Sequence, residues 1–561
     1  MPQTNYFSAL GVALAGLVGG CGLLGKNHPG AEAQQPPVNA GGSAGATAGS
    51  AGAAGVGGAV PPSAHGVVPM HALRVTEYKN TVRDLLGVEP TALGFSDATP
   101  PYAATIPNVE PWFEAATQAA AALFQQQPLP QPFACASSGG DARACALGVI
   151  DDFGLRAFRR PLRDEEQQAY AALYDKVIAL GRSNLVAVEQ IVRAMLVSPQ
   201  LAFHIELSDQ PDGTAAEPLD SYALAARLSY ALWSTTPDPV LLQAAAQDLT
   251  SDAALDAAYT RLSESPRAVA LADGLGEVWL GLSRLADHSV EPALGVSLSP
   301  ALRQAMLGEQ REFLRVFLTE PQPLKSLLTL DVNFVDDTLA AHYGFEPVGP
   351  NLTRVSVTTD QRVGLLGLAG FLTLTSRQAR TSPTARGVYV LSRLLCSPPP
   401  PDQPSTQLGD DTGAPPADAP IRVQLEWATK EPTCHACHAQ FDPFGFALGH
   451  FDALGHYIAS EGGVPVDSSA TLSPRLFPAG VSVNGLPELA SALAEHPLFH
   501  ACAARNLAKY MIHREITEET DADLLDPLGR SVTALATLPA LSKTIALSDA
   551  FRYRRQPPSP L

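Results

Sequence analysis

The chain has 561 residues, of which 46% are hydrophobic and 17% charged, and it carries a formal net charge of −19. This composition is typical of a globular chain long enough for about three or four domains, rather than of a disordered one. The acidic balance argues against nucleic acid as the main partner, because binding phosphates requires clustered cations. Ala- and Leu-rich stretches favour helix, so we expect a mainly α, multidomain helical protein with few short strands.

The N-terminus is predicted to be a lipoprotein signal peptide over residues 1–21. The segment 7–20 is apolar and too short for a permanent membrane span, and Val18-Gly19-Gly20-Cys21 is similar to a bacterial lipobox with Cys21 as the lipidated residue. No Lys or Arg precedes Lys26, and the alternative is a plain buried apolar segment. We therefore expect an exported protein, held at the outer membrane, the cell surface or in the periplasm.

A flexible Gly/Ala/Pro tether is expected over 22–68, followed by order from about residue 69. Helical periodicity and capping signals then divide the chain into segments. We predict an N-terminal helical domain (69–150), a small helical domain (151–212), a central helical domain (213–350), a cofactor-bearing domain (351–465) and a C-terminal helical domain with tail (466–561).

Apolar residues at helical spacing predict the individual elements. The predicted helices cover 75–87, two helices within 153–181, 184–206 with a break at Ser198-Pro199, a helix capped by Asp220 or Ser221, and 251–263, 268–282, 300–318, 361–375 and 487–514. Strand signal is sparse, and 334–335 and 354–358 are the best candidates. The Pro-rich segment 397–420 is expected to cross the surface in an extended form.

The motif Cys434-His435-Ala436-Cys437-His438 predicts covalent attachment of one c-type haem. Two thiols one helical turn apart can add to the two vinyl groups of haem, and His438 then presents its imidazole to the iron. A zinc site and a redox dithiol are the alternatives. The first needs two more ligands at regular spacing, whereas the chain has a single Cys-x-x-Cys, and the second needs a βαβ context.

The surroundings of the haem are less determined by the sequence. We expect a backbone carbonyl after the motif to accept the other ring N–H of His438. Arg377, Arg380 and Arg386 are candidates for pairing with the haem propionates, and the alternative is that they are solvated loop cations. The ligand on the opposite face of the iron stays open: that position is vacant or taken by Met511 or by a histidine. The candidate histidines are His450, His456, His496, His500 and His513.

Four cysteines remain after the predicted lipid and haem attachments. An exported chain permits disulfides, and Cys135–Cys145 would close a short loop, which leaves Cys396–Cys502 as the second pair. Free buried thiols are the alternative.

Several motifs resemble those of the secreted multidomain proteins of planctomycetes and myxobacteria, which are built from successive domains of unknown function with a cytochrome c-like haem motif. The resemblance covers about residues 70–550. It rests on the segments 74–87, 158–162, 227–234, 371–373 with 381–387, 434–455, and Cys502 with the helix through Arg514. It implies haem binding and electron transfer, without a defined substrate. Some members carry a further cytochrome c domain, and this chain has a single Cys-x-x-Cys-His motif.

Three functions are compatible with the sequence. The first is electron transfer at the cell surface with a redox partner protein. The second is a haem enzyme of the peroxidase or oxygenase type acting on an external small-molecule substrate, which requires an open sixth position on the iron. The third is a surface binding or scaffold protein whose haem is structural, since a carrier alone does not need so large a helical body.

Overall fold

Helices account for 62% of the computed structural model, which confirms the predicted mainly α class. The structure describes residues 70–554 except for 91–92, 95–108, 139, 207–215, 290–296, 357–361, 378–379, 400–414, 417, 479 and 534. The predicted signal peptide with Cys21, the tether and most of the predicted Pro-rich crossing lie outside these residues.

The first six helices among the described residues pack around one apolar core that includes Tyr78, Trp112 and Phe153. They are α1 (Val75–Leu86), α2 (Val109–Phe124), α3 (Ala142–Phe158), α4 (Asp164–Ala179), α5 (Asn184–Leu196) and α6 (Pro199–Ala202). The predicted stops are confirmed: α1 ends at Gly87 in a left-handed conformation, and Ser198 caps α6 with Pro199 in its first turn.

The middle of the chain forms α7 (Ser221–Trp233), α8 (Pro239–Gln247), α9 (Asp252–Ser263), α10 (Val269–Leu275), α11 (Pro300–Thr319) and α12 (Asp337–Tyr343). Asp220 is the N-cap of α7, because its carboxylate accepts a hydrogen bond from the backbone N–H of Ala223. The predicted helix 268–282 continues beyond α10 as a π-helical turn over Gly276–Leu280.

The last part of the chain forms α13 (Ala369–Leu374), α14 (Pro383–Tyr389), α15 (Ile421–Ala428), α16 (Pro432–Phe446), α17 (Leu486–Ala494), α18 (Pro497–Ile512), α19 (Glu518–Thr533), α20 (Leu538–Ala546) and α21 (Asp549–Arg552). The predicted last helix, over 487–514, is not the end of the ordered chain. Helices α19 to α21 continue the fold, and Leu528, Ile545 and Phe551 are fully buried.

In the part of the chain that the structure describes, ten short strands pair two by two, always antiparallel. The pairs are β1 (His71–Ala72) with β2 (Phe203–His204), β3 (Glu217–Pro218) with β10 (Tyr553–Arg554), β4 (Val332–Val335) with β5 (Thr353–Ser356), β6 (Ser460–Glu461) with β7 (Val464–Pro465), and β8 (Ser469–Thr471) with β9 (Ser482–Asn484). The two predicted strands are thus partners in one ladder, β4–β5.

The predicted helix over 361–375 is wrong in its first half. Gly364 adopts φ 54°, and a Cβ there would overlap the backbone of Leu328, so the chain turns closely past that residue instead of entering a helix. A 3₁₀ turn over Leu365–Gly367 follows, and regular helix begins only with α13.

One large core joins residues from Leu219 to Phe551 and therefore runs across the predicted boundaries at 350 and 465. Two disulfides reinforce the structure. Cys135–Cys145 closes a separation of 10 residues and Cys396–Cys502 one of 106. Both predicted pairs are confirmed, and the alternative of free buried thiols is wrong.

Candidate haem-attachment site

The Cys-x-x-Cys-His motif lies in the first half of α16. Pro432 occupies its first turn, where a missing N–H costs nothing. Cys434 and Cys437 are free, partly exposed thiols, and their spacing places them on one face of the helix. His438 follows at i+4 from Cys434, so it shares this face, and its side chain is 27% exposed.

A carboxylate, and not the expected backbone carbonyl, holds the imidazole of His438. Nδ1 of His438 lies 2.8 Å from Oδ2 of Asp442, one turn further along α16. Because an ionised carboxylate only accepts hydrogen bonds, this contact puts the proton on Nδ1 and leaves the lone pair of Nε2 for a metal. Asp442 is itself 4% exposed.

Asp442 is fixed in turn by α14. The hydroxyl of Thr384 donates to Oδ1 of Asp442 over 2.8 Å, so both carboxylate oxygens have partners. Thr384 lies in the first turn of α14, which Ser382 caps by accepting from the N–H of Ala385. The result is a hydrogen-bonded chain from Thr384 through Asp442 to His438.

Two glycines let α14 and α16 approach closely enough for that chain. A Cβ at Gly387 would overlap the carbonyl of Phe441, and one at Gly445 would overlap the carbonyl of Pro383. Side-chain atoms at either position would therefore force the helices apart. The glycines are part of the site although they carry no chemistry.

The structure favours a structural role for Arg386 over the predicted contact with a haem propionate. Arg386 is fully buried, and its guanidinium donates to the carbonyls of Leu448, Phe451 and Asp452 at 2.7–2.9 Å. It thereby ties α14 to the turn that follows α16. Arg380 is exposed and donates to Gln424 on α15 over 3.2 Å.

Three candidates for the distal ligand are engaged elsewhere. Met511 is fully buried in the large core. Both ring nitrogens of His496 form hydrogen bonds, with the carbonyl of Leu476 and the N–H of Leu498. Those of His500 do likewise, with the carbonyl of Ala494 and the hydroxyl of Thr533.

The remaining candidates differ in their surroundings. His450 donates from Nδ1 to the carbonyl of Ile458 and stacks on Tyr457. His456 is held by Asp452 at 3.1 Å. His513 is buried against Glu77, in a cluster considered below.

The residues of α16 fit a c-type haem. Two free thiols, an imidazole with a fixed tautomer and a buried carboxylate behind it form the donor set that covalent attachment and axial ligation need. The aromatic residues that follow the motif, Phe441, Phe444 and Phe451, are buried in the large core.

Sequence reasoning missed Asp442 and Thr384 as members of the site. Asp442 carried a usable signal, since it lies at i+4 from His438 in a helical segment, where side chains meet. Thr384 carried none, because its contact joins residues 58 positions apart.

The fold and the motif together define the class of protein: a mainly helical protein that carries a Cys-x-x-Cys-His motif on a helix. More narrowly, three family models match the chain in succession: PSD5, Protein of unknown function (DUF1595), at 145–206; PSD4, Protein of unknown function (DUF1592), at 219–345; and PSCyt3, Protein of unknown function (DUF1588), at 362–461. This succession is the architecture typical of planctomycete-type multidomain cytochrome c-like proteins. No curated protein and no solved structure matches the chain.

Two observations bear on the compartment. Among the described residues, no helix combines the length and the apolar character needed to cross a bilayer. The two disulfides indicate an exported or otherwise oxidising environment, because reducing compartments keep thiols free.

Proposed function

We propose that this protein carries one covalent haem c on α16 and exchanges single electrons with a redox partner outside the cytoplasm. The observation that carries the proposal is the arrangement of Cys434, Cys437 and His438 on one helical face, with Asp442 behind the imidazole. When bound, the haem supplies one-electron redox chemistry.

Each residue of the site has a defined part in this proposal. Cys434 and Cys437 form the two thioether bonds, and Nε2 of His438 is the proximal ligand. Asp442 keeps the proton on Nδ1 and makes the imidazole a stronger donor, while Thr384 holds Asp442 in place.

Exposure and charge favour exchange with a protein partner. Residues 431–433, 435 and 436, which flank the thiols, are exposed, so a haem attached there presents an edge to solvent. A net charge of −19 favours a partner with a cationic surface. With one such motif in the chain, electrons leave and enter through a single centre.

A haem enzyme is the second candidate, and Asp442 is the observation that favours it. A carboxylate on the proximal imidazole raises its basicity and stabilises oxidised iron more than a carbonyl does. The substrate would then be a small molecule outside the cell. This function requires that the sixth position on the iron be open or exchangeable.

We further propose that the mature chain is tethered to a membrane through lipid on Cys21, as an outer-membrane lipoprotein or at the cell surface or periplasmic face. The support is the lipobox-like sequence at 18–21 and the Gly/Ala/Pro-rich stretch after it. In cell fractionation, Cys21→Ser should move the protein out of the membrane fraction; an unchanged distribution would contradict the anchor.

Haem attachment is tested by the denaturation-resistant haem stain and the pyridine haemochrome of the exported protein. Wild type should show two thioethers, and Cys437→Ser should lose at least one of them. The matched pair is His438→Gln, which removes the proximal ligand, and His435→Gln, which changes an exposed residue of the same motif. No haem in wild type, expressed with a c-type attachment system, refutes the proposal.

Spectra with and without carbon monoxide separate the two candidates. A six-coordinate low-spin spectrum that ignores the gas supports the electron carrier. A high-spin ferric form, whose reduced state binds the gas, supports the enzyme and contradicts the carrier.

A further inference from the structure

Three histidines from distant parts of the chain meet away from the Cys-x-x-Cys-His helix. His71 and His204 face each other across the β1–β2 ladder, and His513 ends α18. Their ring centroids lie 4.5 Å apart for His71–His204, 5.1 Å for His71–His513 and 5.0 Å for His204–His513. One nitrogen of each ring lies within 4.8 Å of the other two.

The cluster is buried. His71 and His513 are 2% exposed, and the side chain of His204 is 9% exposed. Burial lowers the pKa of His204 and holds the pKa of His513 well below its usual value. The rings of His204 and His513 are therefore held in the neutral form, which is the form of imidazole that binds metal ions.

A carboxylate lies beside the three histidines, and both of its oxygens already accept hydrogen bonds from Arg74. Glu77 on α1 is 1% exposed, with Oε2 3.5 Å from Nε2 of His204 and Oε1 3.8 Å from Nε2 of His513. Burial opposes its ionisation, but the positive charge of Arg74 outweighs this and keeps the pKa of Glu77 well below the usual range. Arg74 also pairs with Glu277 at 2.8 Å.

A carboxylate lies close enough to offset part of a cation's charge. Glu77 and Glu277 contribute two negative charges beside the cluster and Arg74 one positive charge, while Arg159 and Glu206, of opposite sign, also act on His204. A buried divalent cation would be balanced in part by Glu77. Three imidazoles and a carboxylate also match the ligands that Zn²⁺ takes in four-coordinate sites.

The spacing suits a site that closes on the metal. Tetrahedral Zn²⁺ with bonds of about 2.0–2.1 Å holds its ligand atoms about 3.3 Å apart. Because the three nitrogens already lie within 4.8 Å of one another, each pair has to approach by about 1.5 Å at most, which side-chain rotations supply.

We propose that His71, His204 and His513 bind one Zn²⁺ ion, with the carboxylate of Glu77 beside it as the fourth ligand. The site joins the β1–β2 ladder to the end of α18 and so cross-links segments that are far apart in the sequence. Four protein ligands and deep burial give the metal a structural role. The proposal is independent of the haem.

Metal content is the first test. The full-length exported protein is stripped with a chelator, reloaded with Zn²⁺ and desalted, and zinc and iron are counted separately by mass spectrometry. We expect about one Zn²⁺ per chain and a higher melting temperature with zinc than without. Less than about a tenth of an equivalent in wild type overturns the site.

Variants assign the metal to the cluster. His204→Gln with His513→Asn should lose at least about nine tenths of the bound zinc; Asn suits the left-handed backbone that His513 adopts at φ 58°. The control is His342→Gln, which alters a partly buried histidine bonded to the carbonyl of Leu454 and should keep the zinc. Zinc retained by the double variant refutes the assignment.

X-ray absorption at the zinc edge keeps the proposal testable should the double variant fail to fold. The wild-type protein should show three imidazole ligands at about 2.0 Å and one further light-atom ligand. Fewer than three imidazoles, or any sulfur ligand, overturns the proposal.

Discussion

Asp442 is a single residue whose charge should set the redox behaviour of the proposed haem. Asp442→Asn keeps an oxygen that can accept from Nδ1 of His438 but removes the negative charge. The imidazole becomes a weaker donor, so we expect the reduction potential to rise by on the order of tens of millivolts while both thioethers remain. Redox titration of the purified protein measures it.

The control for this change is Thr384→Val, which removes the hydroxyl that holds Asp442 but leaves the carboxylate. A smaller change is expected there. A potential that falls or stays constant in Asp442→Asn would show that the carboxylate does not tune the iron.

Glu309 is a second residue with a predictable pH effect. It is fully buried on α11, and burial raises its pKa to about 7 although Tyr343 donates to it over 2.5 Å. The folded state therefore holds a proton that the unfolded state releases above about pH 4.5, so this group lowers the free energy of unfolding as the pH rises from about 4.5 to 7.

Glu309→Gln removes this titration and keeps an acceptor for Tyr343. The difference in the free energy of unfolding, wild type minus variant, should therefore decline by on the order of 3 kcal/mol from pH 4.5 to above pH 7. Urea unfolding across that range measures it. A difference that is constant with pH would mean that Glu309 titrates as in the unfolded chain.

At the scale of elements, the contact between α14 and α16 is the part least tolerant of change. Gly387→Ala or Gly445→Ala would drive a methyl group into a backbone carbonyl of the opposite helix, so we expect a loss of about 3 kcal/mol or more and less attached haem. Denaturant unfolding and the haem-to-protein absorbance ratio measure the two effects.

Gly148→Ala is the matched control for these variants. Gly148 lies inside α3 with open space around a built Cβ, so alanine there should stabilise by about 0.5–1 kcal/mol through helix propensity. If Gly148→Ala changed the free energy of unfolding as much as Gly387→Ala or Gly445→Ala does, the close approach of α14 and α16 would not be the reason for the loss.

Elements governed by local signals were predictable from the sequence. Gly87 and Asp220 mark a helix end and a helix start whose physics is contained in a few neighbouring residues. The first half of the predicted helix 361–375 was not predictable from the sequence. The conformation of Gly364 is set by the backbone of Leu328, which is distant in the chain.

The residues of the site also divide into those that the sequence predicts and those that it does not. Spacing alone placed Cys434, Cys437 and His438 on one face of a helix. The surroundings of Arg386 were not predictable, because a sequence does not reveal that backbone carbonyls surround a guanidinium. The three-histidine cluster escaped sequence reasoning entirely, since His71, His204 and His513 lie in segments that only the tertiary fold brings together.

For the whole molecule, the two disulfides should differ in what they contribute. In the loop-entropy description, closing 106 residues stabilises by about 5 kcal/mol and closing 10 residues by about 3 kcal/mol. We therefore expect Cys396→Ala/Cys502→Ala to lower the free energy of unfolding more than Cys135→Ala/Cys145→Ala. Parallel urea titrations compare them, and the reverse order would contradict this expectation.

The long disulfide loop also encloses the whole of α16, since residues 434–438 lie between Cys396 and Cys502. A single proteolytic cut anywhere between those cysteines yields two pieces that stay covalently joined until the disulfide is reduced. In an oxidising compartment that contains proteases, the cofactor-bearing piece would thus be retained after nicking. Electrophoresis of a nicked sample would show one band without reductant and two with it.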